Sequence, residues 1–251
     1  MAEPGEEPGG APGTIRPAYY AAKSGGWRDW WTLLHPPYTA WHLSYVVLGA
    51  CLAPEVRVDR LVATLLAFLL AVGLAAHALD ELDGRPLGTR IPSRWLIVTA
   101  AVGIVGAVAI GALGVSRVGW TLVPFIVVGP VLVVAYNTDV APVHKDVVFA
   151  AAWGAFPVLT AYVAQAQTLD WAAVLAALAA FALSAAQRSL STPARLLRRR
   201  TRTVHGVLAT TAGDERPLDR PTLLAPLEHA LNAMSAAVVL LATALAVARL
   251  T

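Results

Sequence analysis

The sequence predicts an all-α protein, a polytopic transmembrane helical bundle of about seven spans. Hydrophobic residues make up 57% of the chain and charged residues only 14%. The mean hydropathy of +0.61 lies well above that of ordinary soluble domains. Apolar runs near the length of about 20 residues that a spanning helix needs recur along the chain.

The N-terminal region precedes the first apolar run. Residues 1–26 are predicted to be a disordered cytoplasmic tail, since the first part of this range is rich in Gly, Pro and Glu and has little to bury. Trp27, Trp30 and Trp31 follow, just before a Pro-Pro pair. This cluster predicts a short helix in the headgroup layer, at the start of a membrane-embedded domain that covers residues 27–251.

Seven apolar segments then follow, each a candidate to span the bilayer. They are 38–53, 60–79, 95–114, 118–136, 147–166, 170–187 and 226–248. The first is short and contains His42. The segment 188–225 is the longest polar stretch of the chain and is predicted to be a cytoplasmic loop. Long loops in compact proteins often serve as lids or binding loops.

Basic residues divide unequally between the two sides of this bundle. If residue 1 is cytoplasmic, so are the loops at 80–94, 137–146 and 188–225. The only Lys and Arg residues on the other side are Arg57, Arg60, Arg117 and Arg249. This asymmetry predicts an integral protein of the plasma membrane whose N-terminus and acidic loop lie in the cytoplasm.

The same distribution argues against nucleic acid as a partner. The pI of about 9.3 comes from arginines in loops between apolar spans, where such residues set membrane topology. The chain has one cysteine, Cys51, inside an apolar run. This excludes a disulfide framework and a thiolate metal site within the chain.

A group of ionisable residues lies at the end of the second candidate span. On a helix, His77, Asp80 and Glu81 fall at i, i+3 and i+4, with Asp83 three residues beyond Asp80. Ionisable groups at this depth are costly and usually hold a metal, a substrate or a proton. The spacing predicts that His77, Asp80, Glu81 and Asp83 are ligands of a divalent cation.

Further motifs begin at the end of the fourth span and continue into the fifth. They are Tyr136-Asn137, then Lys145, and then Trp153-Gly154-Ala155-Phe156-Pro157. Together with the acidic cluster, they resemble the UbiA superfamily of intramembrane prenyltransferases over about Leu34 to Arg202. The resemblance implies a helical bundle with a central cavity open to lipid, in which magnesium ions bind a prenyl diphosphate.

The resemblance assigns roles to particular residues. Asp80 matches the central aspartate of the first family motif and Asp83 lies near its last one, which implies that both are catalytic metal ligands. Basic residues that follow this motif, and a later polar group, are implied to bind the diphosphate. They are Arg85, Arg90, Tyr136, Asn137 and Lys145.

The chain departs from the family pattern after its sixth span. The second aspartate motif of the family is absent, and the chain has Arg188, Arg195 and the run Arg198-Arg199-Arg200 instead. Guanidinium forks bind phosphate directly, so these arginines, Arg188 first among them, are candidate substrate ligands. Family members usually have nine spans, which favours a homo-oligomer that completes the bundle.

The expected function is that of a UbiA-like enzyme that binds an isoprenoid diphosphate with Mg²⁺, or another divalent metal, and transfers or cyclises the prenyl group. One alternative is a non-catalytic lipid-binding protein of the same fold. A second is a metal-dependent membrane enzyme that uses His77 and nearby carboxylates together with His42, Glu228 and His229. Imidazole and carboxylate ligands suit iron, zinc or manganese as well as magnesium.

Overall fold

The computed structural model describes residues 16–137 and 146–251 of the 251-residue chain. This part of the chain is mostly helical, with one small β-hairpin, which confirms the prediction of an all-α protein. The elements are α1 (Trp27–Leu33), α2 (Pro36–Leu52), α3 (Val58–Leu82), α4 (Ser93–Val118), α5 (Trp120–Asn137), α6 (Asp146–Ala166), α7 (Trp171–Arg200), β1 (Val207–Ala209), β2 (Glu215–Pro217) and α8 (Arg220–Leu250).

Six helices of the described chain, α3 to α8, are long and apolar enough to cross a membrane. They correspond to six of the seven predicted segments. The seventh, 38–53, corresponds to α2, which has 17 residues and a length of about 25 Å at 1.5 Å per residue. The protein is therefore an integral membrane protein, and α2 is a shorter helix inside its bundle.

Successive helices run in opposite directions, which gives the bundle two ends. We call the end where α2 begins and α3 finishes the first face, and the opposite end the second face. At the second face, Arg249 near the end of α8 donates to the carbonyl of Ala53, 2.7 Å away, just after α2. At the first face, Arg198 of α7 forms an ion pair with Glu228 of α8.

Helix α2 lies at the centre of the bundle. Trp41, Tyr45 and Val46 are fully buried among the surrounding helices. A Cβ atom at Gly49 would lie 2.2 Å from the carbonyl oxygen of Val158 in α6, so only glycine permits this close approach. The outer helices instead expose Val, Leu and Ile side chains, as expected for surfaces in lipid.

The N-terminal segment differs from the predicted disordered tail over residues 16–26. In this segment, Ala18 and Ala21 are buried and the hydroxyl of Tyr20 bonds to His35. The segment folds back because it covers the aromatic side chains at the start of α2. Residues 1–15, also part of the predicted tail, lie outside the described residues.

The predicted loop 188–225 is also largely structured. Helix α7 continues to Arg200, the hairpin pairs Val207 with Pro217, and α8 begins at Arg220. The extension of α7 is polar on the side that carries its arginines and apolar on the side that packs on α8. Hydropathy alone ended this helix too early, because its last turns are stabilised by packing against protein.

Short α1 forms where the tryptophan cluster predicts it. Trp27, Trp30 and Trp31 are exposed, whereas Asp29, Thr32 and Leu33 are buried on the other side. The helix therefore has an aromatic outer side and an inner side that packs on the bundle, as expected for a helix at a membrane surface.

Candidate functional site

A charged cluster occupies the first face, between the ends of α3, α5 and α7. We define it as Asp80, Tyr136, Arg188, Arg195 and Arg199. The carboxylate of Asp80 interacts electrostatically with Arg195 and Arg199, and Tyr136 interacts with Arg188, Arg195 and Asp80. Three helices that are distant in sequence thus bring their ionisable residues to one place.

Asp80 and Arg195 differ from the other charged residues of the bundle. No hydrogen bond and no close ion pair joins either side chain to any other described residue. Asp80 is exposed, and Arg195 is half-buried on the side of α7 that faces it. Charges at a membrane face that lack protein partners are available to a ligand.

Arg188 forms the second side of the cluster. Its Nε atom donates to Asp146 Oδ1 at 2.9 Å, and its guanidinium group lies 5.2 Å from the ring centre of Phe149. The Phe149 ring packs in turn against the buried ring of Tyr136, with 5.9 Å between centroids. This stack fixes the direction of Arg188, a cation that stacks on aromatic rings more readily than lysine does.

A group of aromatic and imidazole rings lies beside the cluster. The rings of His35 and His77 are stacked with centroids 4.2 Å apart, and the Tyr20 hydroxyl shares a 2.6 Å hydrogen bond with His35 Nδ1. Burial, reinforced by His77 and Arg199, lowers the pKa of His35 well below its usual range, so its ring is neutral at pH 7. Its Nε2 atom is buried and has no partner among the described residues.

The N-terminal segment closes this side of the first face. Arg199 Nε donates to the carbonyl of Pro17 at 3.0 Å, and Arg198 Nη1 donates to the carbonyl of Arg16 at 3.3 Å. Arg198 also makes a two-pronged ion pair with Glu228, in which Nη2 lies 2.7 Å from Oε2. Arg198 is therefore occupied by protein, whereas Arg199 keeps its terminal nitrogens for other partners.

Three π-helical segments adjoin the site. They are Leu69–Ala76 in α3, Ala151–Ala155 in α6 and Leu196–Arg200 in α7. Such segments rotate the residues that follow them and are frequent at functional sites. The segment in α3 ends directly before His77, so Asp80 lies in the α-helical turn that follows it.

The sequence-predicted metal ligands do not gather around one point. Glu81 is fully buried, and its two oxygens accept the backbone N–H groups of Leu87 and Thr89 at 2.9 and 2.8 Å. It thereby organises the loop after α3, a role different from the metal ligation predicted for it. His77 Nδ1 lies 3.1 Å from the carbonyl of Gly73, and Asp83 is an exposed residue just past the helix end.

The predicted diphosphate ligands also separate. Tyr136 and Arg188 lie in the charged cluster, whereas Arg85 donates within its own loop to the carbonyl of Ile91 at 2.6 Å. Arg90 is exposed beside α1, and Asn137 donates to the carbonyl of Val133 in its own helix. Lys145 lies outside the described residues.

No group of three or more His, Cys, Asp or Glu side chains in residues 16–137 and 146–251 could hold a metal ion. This applies to the alternative with His42, Glu228 and His229 as well, since Glu228 is paired with Arg198 and His229 is exposed. Asp80 is the one carboxylate in the cluster as defined above. Mg²⁺ often takes one or two carboxylates and completes its shell with substrate phosphate and water.

An apolar groove of about 400 Å³ runs along α3, α4 and α5 toward the second face. Val72 and Val133 line its inner end, and Arg60 and Arg117 line its outer end. Val133 lies about one helical turn from Tyr136. The groove therefore reaches from the interior beside the charged cluster to the opposite face.

Sequence reasoning missed several residues that shape this region. Tyr20 and His35 form the polar contact beside the cluster, and Asp29 ties α1 to the loop after α3. The signal for His35 was its place before two prolines, which favours a non-helical backbone. The signal for Asp29 was a single carboxylate in an otherwise aromatic helix.

These features define a class: an all-helical integral membrane protein with a charged, ligand-accessible cluster at one membrane face. Comparison with protein-family models, with curated proteins and with solved structures found no match for this chain.

Proposed function

We propose that this protein is a UbiA-like membrane enzyme that binds an isoprenoid diphosphate and transfers or cyclises its prenyl group. The observation that carries the proposal is the pair Asp80 and Arg195, charged residues at a membrane face with no hydrogen-bond partner in the described chain. Removing charged side chains from water near a membrane costs free energy, and such side chains usually bind a metal, a substrate or a proton. A ligand that carries both a metal cation and a phosphate anion would complement Asp80 and Arg195.

The arginines supply the chemistry of the leaving group. When the bond between the prenyl carbon and the diphosphate oxygen breaks, its electron pair stays on the diphosphate. Arg188, Arg195 and Arg199 direct positive charge to the space where that negative charge develops. The Tyr136 hydroxyl is a further donor for the same oxygens, and the proposal retains Lys145 in this role.

Asp80 is proposed as the first carboxylate ligand of a metal. When bound there with the substrate, Mg²⁺ would add positive charge to the diphosphate oxygens. Asp83, just past the end of the same helix, is proposed as the second catalytic carboxylate through water or the metal shell. The isoprenoid chain would lie along the apolar side of the bundle, for which the groove beside Val133 offers room.

Membrane orientation belongs to the same proposal. We propose that the protein lies in the plasma membrane with its first face in the cytoplasm, because most of its basic residues belong to segments at this face. We further propose that the protein forms a homo-oligomer.

A non-catalytic lipid-binding protein is the second candidate. It is favoured by the separation of Glu81 from Asp80, which leaves the described cluster with fewer metal ligands than the family pattern implies. Such a protein would bind the same diphosphate lipid without breaking its carbon–oxygen bond.

The test is binding and diphosphate release with the purified full chain in detergent. Farnesyl and geranylgeranyl diphosphate are the probes, each with magnesium and with EDTA. We expect magnesium-dependent release that Asp80→Asn reduces by at least 100-fold and that Asp83→Asn reduces less. Glu55→Gln, an exposed acid at the second face that does not line the groove, is the matched control and leaves release unchanged.

The outcomes separate the candidates. Tight binding without release favours the lipid-binding protein. Absence of binding for both probes contradicts the proposed function, and release that survives Asp80→Asn contradicts the role of this carboxylate.

A further inference from the structure

We propose that a second site at the first face binds the headgroup of an anionic phospholipid. It is a depression of about 790 Å³ between α1 and the start of α4, lined by Trp27, Trp30, Arg90 and Trp95. None of these side chains belongs to the charged cluster. The inference stands independently of the proposed enzymatic function.

The framework of this site is built from buried carboxylates. Asp29 is only 3% exposed, and its two oxygens accept the backbone N–H groups of Gly25 at 3.0 Å and Arg90 at 3.1 Å. Glu81 holds the same loop from below through Leu87 and Thr89. These bonds fix α1 relative to the loop after α3, so the depression exists without a ligand.

Two charged residues line the depression, Arg90 and Asp29, and of these Arg90 is exposed. Asp29 is buried, and both of its oxygens accept backbone N–H groups. Arg28 is a further exposed cation, with its guanidinium carbon 5.9 Å from the ring centre of Trp27, and the exposed Lys23 and Arg94 lie within two residues of the lining residues Gly25 and Trp95. A ligand that matches this distribution carries negative charge, as a phosphate diester does.

Aromatic side chains indicate where the ligand comes from. Trp27, Trp30 and Trp95 are 70%, 39% and 50% exposed. Indole rings with this exposure favour the boundary between headgroups and hydrocarbon, where an apolar ring and a polar N–H are both accommodated. The site therefore lies at the depth of lipid headgroups.

An apolar stripe continues from the site along α4. Trp95, Val98, Val102 and Val105 follow one another at intervals of three or four residues, and all are exposed. The stripe extends for about 15 Å from Trp95, at 1.5 Å per residue. A headgroup among the arginines places an acyl chain along this stripe, which a free phosphate ion would leave empty.

Native mass spectrometry of the full chain in detergent tests this site. Phosphatidylglycerol and phosphatidylcholine with identical acyl chains are titrated separately, and bound lipid is counted. We expect the first lipid to bind at least tenfold more tightly. Arg90→Gln combined with Arg94→Gln should remove this preference and leave phosphatidylcholine binding unchanged.

The matched control replaces two exposed arginines of the hairpin region, Arg202→Gln with Arg216→Gln, and keeps the preference. Equal affinity for the two lipids would overturn the proposal, and so would an equal loss in the control. Displacement of the lipid by millimolar inorganic phosphate would show that the cations take a free ion and would also overturn it. Prenyl diphosphate is absent throughout, so failure here says nothing about the proposed enzyme.

Discussion

The two faces of the bundle use similar polar residues in different ways. At the second face, Arg60 donates to the carbonyls of Ala164 and Gln165 at 3.2 and 3.0 Å, and Arg249 donates to the carbonyl of Ala53. These side chains satisfy helix ends. At the first face, Asp80 and Arg195 form no hydrogen bond with any part of the chain that the structure describes.

The difference shows that charge alone does not mark a site. An arginine at a helix end stabilises the fold when backbone carbonyls take its N–H groups, because those carbonyls otherwise lose their partners in a bilayer. An arginine without such a partner keeps its capacity for a ligand. Substitutions of arginines that bond to backbone carbonyls, such as Arg249, should therefore act on stability, and those of arginines without such bonds, such as Arg195, on binding.

The largest expected effect is on ligand affinity. Arg195→Gln should weaken geranylgeranyl diphosphate binding by about 30- to 100-fold, because charged hydrogen bonds to phosphate contribute about 2–3 kcal/mol. Arg249→Gln, at the second face and outside the groove, should leave the affinity unchanged. Isothermal titration with both variants measures this, and an equal loss in both would remove the distinction between the faces.

A pair of buried glutamines tests the effect on stability. Gln165 is 7% exposed and bonds to both the N–H and the carbonyl of Arg57, at 2.8 and 3.2 Å. Gln165→Leu should lower the free energy of unfolding by about 1–3 kcal/mol, because it leaves the Arg57 groups unsatisfied.

Gln187 of α7 is the matched comparison. It is 4% exposed, and its Oε1 atom has no partner in the described chain, so Gln187→Leu should be neutral or stabilising. Denaturation followed by circular dichroism compares the two. A destabilising Gln187→Leu would reveal a structural role for this end of α7.

The smallest expected effect depends on pH through His35. Its pKa in the folded protein lies below the ordinary value of 6.5, so the unfolded chain binds more protons and stability falls as pH drops below 6.5. The buried neutral ring should therefore lower the free energy of unfolding at pH 5.5 relative to pH 7.5. His35→Asn, which tolerates the left-handed backbone at φ 48°, should flatten the pH dependence between 7.5 and 5.5.

His205→Asn is the control for this measurement, since His205 is an exposed residue in the segment before β1. The readout is the slope of melting temperature against pH, which a general loss of packing would not change. An unaltered slope in His35→Asn would contradict the assignment of a buried neutral ring.

The amino-acid sequence predicted the helices well because hydropathy is a local property. The segment 60–79 became α3 and 95–114 became α4, each extended by a few polar or interfacial residues. The predicted loop 188–225 was too long at both ends. Helix α7 continues to Arg200, packs on α8 and bonds to the N-terminal segment, and α8 begins at Arg220. Hydropathy could not anticipate this, since contacts with protein replaced contacts with lipid.

The candidate site was only partly predictable. Asp80, Tyr136 and Arg188 were expected to act together, and they lie in one cluster. Glu81 follows Asp80 directly but points about 100° around the helix, toward the loop that it organises. Helical spacing alone left both carboxylates available to a metal, and only the packed structure shows that Glu81 bonds to Leu87 and Thr89 instead.

The sequence by itself determined that this is a helical membrane protein, where its apolar helices lie, and which end of the bundle carries most of its arginines. Those properties depend on composition and short-range order. Only the tertiary structure decided which charged side chains have hydrogen-bond partners. It brings Asp80 and Arg195, which are distant in sequence, to one face of the bundle and leaves both without a hydrogen bond in the described chain. Burial and pairing are properties of the packed bundle. They separate the cations that stabilise this fold from those that have no hydrogen-bond partner in the described chain.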